Sequence, residues 1–170
     1  MSPYNFADLC ISAHKNTNHY YDKYLPYEFH LRMVIQVFQD FKHLIPGDMR
    51  EIVEKACWGH DLIEDTRVSY SDIVKWDCQL TADLIYAVTN EKGRNREERA
   101  NSNYYTGIKS TQFGVFVKLC DRIANIQYSK LTKSRMFELY KKENREFDNR
   151  LFNREYEQMF LLKDKLLESM

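Results

Sequence analysis

Apolar positions recur along most of the chain at the spacing of an amphipathic helix, and strict alternation nowhere runs long enough to specify a strand. A first helix is predicted over residues 4–19. Pro26 suits the first position of a second helix, whose apolar face carries Val34, Val37, Phe38 and Phe41. Pro46-Gly47-Asp48 makes a turn, with Asp48 placed to cap a third helix that runs into His60. Ser69 and Asp72 have the spacing of a capping box for a short helix ending near Trp76. Another helix is expected over residues 81–90, and the polar residues 93–103 read as a loop entering a helix. Residues 113–131 are strongly apolar with a helical period. Residues 132–169 form a long, densely charged helical stretch. Phe147, Leu151, Phe152, Tyr156, Phe160 and Leu161 supply a seam there, packed against the domain or against a second copy as a homodimer. The expected fold is all-α, one domain over residues 1–170.

Composition narrows the function classes. The chain has 25 basic and 25 acidic residues, which argues against a partner recognised through a nucleic-acid backbone while leaving room for a locally basic pocket. No apolar stretch approaches the length of a membrane span, and the first residues lack the basic start and apolar run of a secretory signal. Cys10, Cys57, Cys78 and Cys120 are scattered without a C-x-x-C pair, as expected of core thiols in a reducing, cytoplasmic compartment.

The candidate chemistry lies where ionisable residues intrude on apolar faces. His30 shares a stripe with Val34, Val37 and Phe41. His60 follows Ala56 by one turn, and Asp121 stands between Val117 and Ala124. Asp61 adjoins His60, and Glu64 and Asp65 follow. Burying these carboxylates without a cation costs several kcal/mol each by order of magnitude. Each residue alone has an ordinary explanation, a hydrogen-bonded core histidine or an Asp121 pair with Lys118 or Arg122. Their convergence favours a metal. Two imidazoles and two carboxylates suit Mn²⁺, Fe²⁺, Zn²⁺ or Co²⁺, and the absence of cysteine disfavours structural zinc. His14, His19 and His43 lack comparable support as ligands.

His30, then His60-Asp61, then Asp121, in that order, resembles the HD superfamily of metal-dependent phosphohydrolases. His60-Asp61-x-x-Glu64-Asp65-Thr66 is similar to the signature of RelA/SpoT-type alarmone hydrolase domains and of small stand-alone alarmone hydrolases. Pro26-Tyr27-x-x-His30, Lys118-Leu119-Cys120-Asp121-Arg122-x-x-Asn125 and Tyr140-x-x-Glu143 resemble further segments of that family. The likeness spans residues 13–143, leaving 144–170 as a C-terminal helical extension.

The resemblance implies a Mn²⁺-dependent removal of pyrophosphate from the ribose 3′ position of ppGpp or pppGpp. Carried over, His30, His60, Asp61 and Asp121 hold the metal, while Glu64 and Asp65 position or deprotonate water. On a helix Glu64 lies one turn above His60 and Asp65 one turn above Asp61, so both overhang the metal without ligating it. Asn125 contacts the nucleotide, Arg96 and Arg99 with Lys92 meet phosphate, and Tyr140 is a further contact. Two positions depart from the family. Leu31 follows His30 where relatives have Pro, and His19 stands where relatives carry a base-stacking Arg. The alternatives are an HD phosphohydrolase of another nucleotide (ppApp, a nucleoside triphosphate or a dinucleotide) and a non-catalytic nucleotide-sensing module, against which Glu64 and Asp65 argue.

Overall fold

A computed structural model describes residues 1–168. Helix α1 (Pro3–Asn16) starts with Ser2 accepting from the Asn5 amide at 3.2 Å and with proline in its first turn. A two-residue hairpin follows. Strands β1 (Tyr20–Tyr21) and β2 (Leu25–Pro26) pair antiparallel, Tyr21 opposite Leu25, around a loop with positive φ at Asp22 and Lys23. This hairpin is too short for alternation to betray it. Pro26 ends β2 and stands at the N-cap of α2 (Tyr27–Phe41) rather than inside it.

Asp48 lies in a single 3-10 turn, Gly47–Met49, and makes no side-chain cap, contrary to the expectation; α3 (Arg50–Gly59) continues directly from that turn. The predicted continuous helix through His60 is also interrupted. Asp61 has φ −105° and ψ 5°, and a separate short helix α4 (Leu62–Asp65) begins after it. Gly59 makes this break compact, because a Cβ there would meet Ile85 at 2.6 Å, Leu62 at 3.1 Å and Phe6 at 3.2 Å. The i→i+4 relation between Asp61 and Asp65 survives, with the Asp65 amide donating to the Asp61 carbonyl at 3.0 Å.

Helix α5 (Tyr70–Trp76) carries the expected capping box of Ser69 and Asp72. Helix α6 (Gln79–Ala87) follows. The polar stretch after it contains one turn of helix, α7 (Arg96–Arg99), and then α8 (Ser102–Ser110), capped by Asn95 and Asn101. Helix α9 (Gly114–Leu131) runs through the middle of the molecule, packed by α2, α3, α8 and the last two helices. Buried Leu31, Val34, Phe38, Val53, Phe116, Leu119 and Ile123 form the core between α2, α3 and α9.

The long C-terminal helix of the sequence reading is two helices. Helix α10 (Arg135–Leu151) stops at Phe152, Asn153 caps a 3-10 turn, and α11 (Glu157–Glu168) returns against α9 and α10. The seam therefore closes within the chain. Phe147, Leu151, Tyr156 and Phe160 are buried, whereas Phe152 and Leu161 are exposed. Buried Lys163 ties α11 to α10 through Asn144 and through Asp148 at 2.8 Å. Residues 169 and 170 lie outside the described residues. Among the described residues no helix is long and apolar enough to cross a membrane, and Cys10, Cys57, Cys78 and Cys120 are all free thiols.

Candidate functional site

Three helices deliver the inward-facing polar residues to one point. His30 comes from the first turn of α2, His60 from the end of α3, and Asp121 from the middle of α9; one ligand atom of each lies within 4.8 Å of the others. His30 Nε2 is 3.0 Å from Asp121 Oδ1, and His60 Nε2 is 3.3 Å from the same oxygen and 2.9 Å from Asp61 Oδ2. Asp61, Glu64 and Asp65 form a second group of oxygens within 4.8 Å, joined to the first through His60 and Asp61.

The protonation of His60 tests whether this cluster fits a metal. Its Nδ1 donates to the Cys57 carbonyl at 2.8 Å, which turns Nε2 toward Asp61 and Asp121. Nε2 is buried between two carboxylates without a hydrogen bond of acceptable geometry, a place for a positive charge, either a proton on Nε2 or a cation ligated by it. Lone pairs converging on one buried point need a positive charge between them, and a divalent cation meets that need without the alignment a hydrogen bond requires. The donor set, imidazole nitrogen and carboxylate oxygen, fits such an ion.

The neighbours hold these groups in their ionised orientation. Lys118 donates to Asp121 Oδ2 at 3.1 Å, Asn125 donates to Asp121 Oδ1 at 2.8 Å, and the Tyr21 hydroxyl donates to Asn125 Oδ1 at 2.7 Å. Burial by itself raises the Asp121 carboxyl, yet Lys118, His60 and His30 hold it well below the usual range. Burial likewise opposes ionisation of Asp61, and His60 overrides it. His60 shows the reverse balance: burial lowers it, and the Asp61 and Asp121 charges raise it well above the ordinary imidazole value. Asp65 is pushed up to about 7 by burial, then by Asp61 and Glu64. Glu64 opens to solvent and is still raised, by desolvation and by Asp61. Of the two, Asp65 is the group whose carboxyl reaches the range of proton exchange near neutrality.

The centre opens into a chamber of about 170 Å³ lined by the carboxylates of Asp61, Glu64, Asp65 and Asp121 and by the cations Arg96, Lys118 and Arg122. Asn125 and Tyr140 also line it. Arg96 is held by Glu143, Nε to Oε1 at 2.6 Å, and Arg122 reaches the same carboxylate at 2.8 Å. Both guanidiniums lie over the Tyr140 ring, at 5.7 and 4.6 Å. Lys92 and Arg99 lie apart from this chamber, on a larger cleft beside it. His19 lines neither space. It stacks on Tyr27 at 4.1 Å, meets His14 Nδ1 at 2.9 Å, and points Nε2 toward Asp65 at 3.9 Å.

Tyr27, which donates its hydroxyl to Asp61, and Tyr21, which orients Asn125, carry no role in the sequence reading. Lys118 and Arg122, weighed there as partners of Asp121, also supply cations to the chamber, and Lys118 does pair with Asp121. Tyr27, Lys118 and Arg122 stand inside the motifs already quoted, and that was the available signal.

A largely helical frame brings histidine and aspartate together from α2, α3 and α9, and the same fold is found in a protein of known structure. That similar structure is described as a metazoan ortholog of SpoT that hydrolyzes ppGpp and plays a role in starvation responses. The TM-score is 0.72 at 18% identity, over 98% of this chain and 93% of that one. The sequence matches no protein-family model and no curated protein.

Proposed function

We propose that this chain is a metal-dependent 3′-pyrophosphohydrolase that converts (p)ppGpp to GDP or GTP and pyrophosphate. The observation that carries this reading is the buried His30–His60–Asp121 cluster with its unsatisfied His60 Nε2, set beside the Glu64–Asp65 pair. The shared fold with a ppGpp-hydrolysing protein supports the choice of substrate.

In this reading His30, His60, Asp61 and Asp121 hold a divalent cation, Mn²⁺ in the first instance. Such an ion supplies Lewis acidity, enough to bring the pKa of water from about 15.7 to about 7. Glu64 and Asp65 orient the attacking water and take its proton; both carboxyls are raised toward the range where a base also returns that proton. The water oxygen joins the phosphorus attached to ribose O3′, the P–O3′ bond breaks, and the proton passes to O3′. Arg96, Lys118 and Arg122 face the phosphate oxygens through charge-assisted contacts. Asn125 keeps Asp121 in register, and Tyr140 supports both guanidiniums.

The test is a product assay on the purified full chain with Mn²⁺ and ppGpp. Release of pyrophosphate and GDP is expected, with loss of both on chelation. Release of single phosphates, or hydrolysis of other nucleotides with ppGpp untouched, would overturn the reading.

A further inference from the structure

The chamber beside the candidate ligands, at about 170 Å³, has room for a pyrophosphoryl group and not for a nucleoside. Pockets that enclose drug-sized ligands measure roughly 300–1,000 Å³. Most of the proposed substrate must therefore lie beyond it. A cleft of about 1320 Å³ opens from the same centre, and Glu64, Asp65 and Asn90 line both spaces.

The cleft has the chemistry of a nucleoside site. Its wall includes buried Leu84 and Phe113, and its rim exposes Leu80 and the Tyr86 ring, the latter 63% accessible. Aromatic faces of this kind stack bases of any sequence. Asn103 and Gln112 add side-chain amides, each both donor and acceptor, which suits the edge of a base. Lys92 and Arg99 bring positive charge to the same space. His19 lines neither space, with one face covered by Tyr27 and a ring nitrogen engaged by His14.

We propose that the nucleoside half of the substrate lies in this cleft, its base against Tyr86 and its 5′-phosphates toward Lys92 and Arg99, while the chamber takes the 3′-pyrophosphate. This rests on the reading of the chain as a nucleotide pyrophosphohydrolase. It assigns Lys92 and Arg99 to the distal phosphates, Arg96, Lys118 and Arg122 to the reacting ones, and leaves His19 away from the base.

Gly107 provides the test, because it lines the cleft from α8 and a Cβ built there meets nothing within 4 Å. Gly107→Trp puts a large side chain into the cleft at a position where a Cβ is unobstructed, and it removes a helix-interior glycine. In the Mn²⁺-loaded full chain the KM for ppGpp should rise about tenfold or more, the scale of losing one base–aromatic stack. The inhibition constant of inorganic pyrophosphate, which needs only the chamber, should stay unchanged. Tyr86→Ala should act in the same direction. Unchanged KM in both variants overturns the assignment, as does a parallel rise in KM and in the pyrophosphate constant. Calorimetric binding of GDP separates the two readings. If ppGpp is not hydrolysed, the proposed function fails, yet weaker GDP binding in Gly107→Trp than in the parent still supports the cleft. Equal GDP affinity sinks it.

Discussion

The Tyr27 hydroxyl donates to Asp61 Oδ2, joining the first residue of α2 to the break between α3 and α4. Tyr27 is itself fixed, with its ring stacked on His14 at 4.3 Å and on His19 at 4.1 Å. Asp61 stands outside the tight trio of His30, His60 and Asp121, on a residue with non-helical backbone, so its direction depends on that one donor and on His60. Tyr27→Phe keeps the ring and removes the donor. Mn²⁺ affinity should fall about 10- to 100-fold, the usual cost of losing a group that orients a metal ligand. Turnover at saturating Mn²⁺ should change much less. Titration calorimetry checks the first and steady-state kinetics the second; an unaltered Mn²⁺ affinity would show that Tyr27 only packs.

Metal binding should appear as stability. An ion that binds only the folded chain adds about 2.7 kcal/mol at a hundredfold excess over its dissociation constant, or roughly 5–10 °C for a domain of this size. Thermal melts of the parent should rise by that order with Mn²⁺ and fall back with chelator. His60→Ala should remove the shift. If the variant is stabilised as much as the parent, the ion binds elsewhere.

Glu64→Gln separates holding the ion from handling the proton. The amide preserves size and removes the base, so Mn²⁺ affinity should persist while kcat drops by about 10²- to 10⁴-fold. Pre-steady-state release of pyrophosphate is the direct measurement. Parental turnover in this variant would transfer the base role to Asp65, whose carboxyl sits near 7.

His30, His60 and Asp121 were legible because a charge on an apolar helical face is a mismatch that one sequence retains. Their partners were not. Tyr27 reads as an ordinary core aromatic, and the Arg122–Glu143 pair depends on how α9 packs against α10, which spacing does not encode. The break at Asp61 is hidden by an apolar period that continues through Leu62 and Ile63; its cause, the close packing around Gly59, is tertiary. The split of the C-terminal helix did leave a mark. Asn153 is a capping residue type, and it caps the next turn, but with no proline or glycine nearby the helical period ran past it.

Acid should unfasten the molecule away from the metal site as well. Asp77 and Lys55 form a buried pair at 2.7 Å, 5% and 4% exposed, and Thr81 donates to Asp77 at 2.6 Å, so α3 is tied to the start of α6. Burial pushes Asp77 up, but Lys55 and Thr81 hold it below the usual carboxylate range. A folded pKa beneath the unfolded value of about 3.9 means that the unfolded chain binds more protons in that interval. The contribution of Asp77 is therefore intact above about pH 4 and is lost as the pH falls through the folded pKa. Asp77→Asn should cost about 3 kcal/mol at neutral pH, the lower end for a broken buried pair, because Glu51 still meets Lys55 at 2.8 Å. Urea midpoints of parent and variant should stay apart above about pH 4 and converge as the pH falls below it. A gap that stays constant below about pH 4 would show that Asp77 carries no charge-dependent stability.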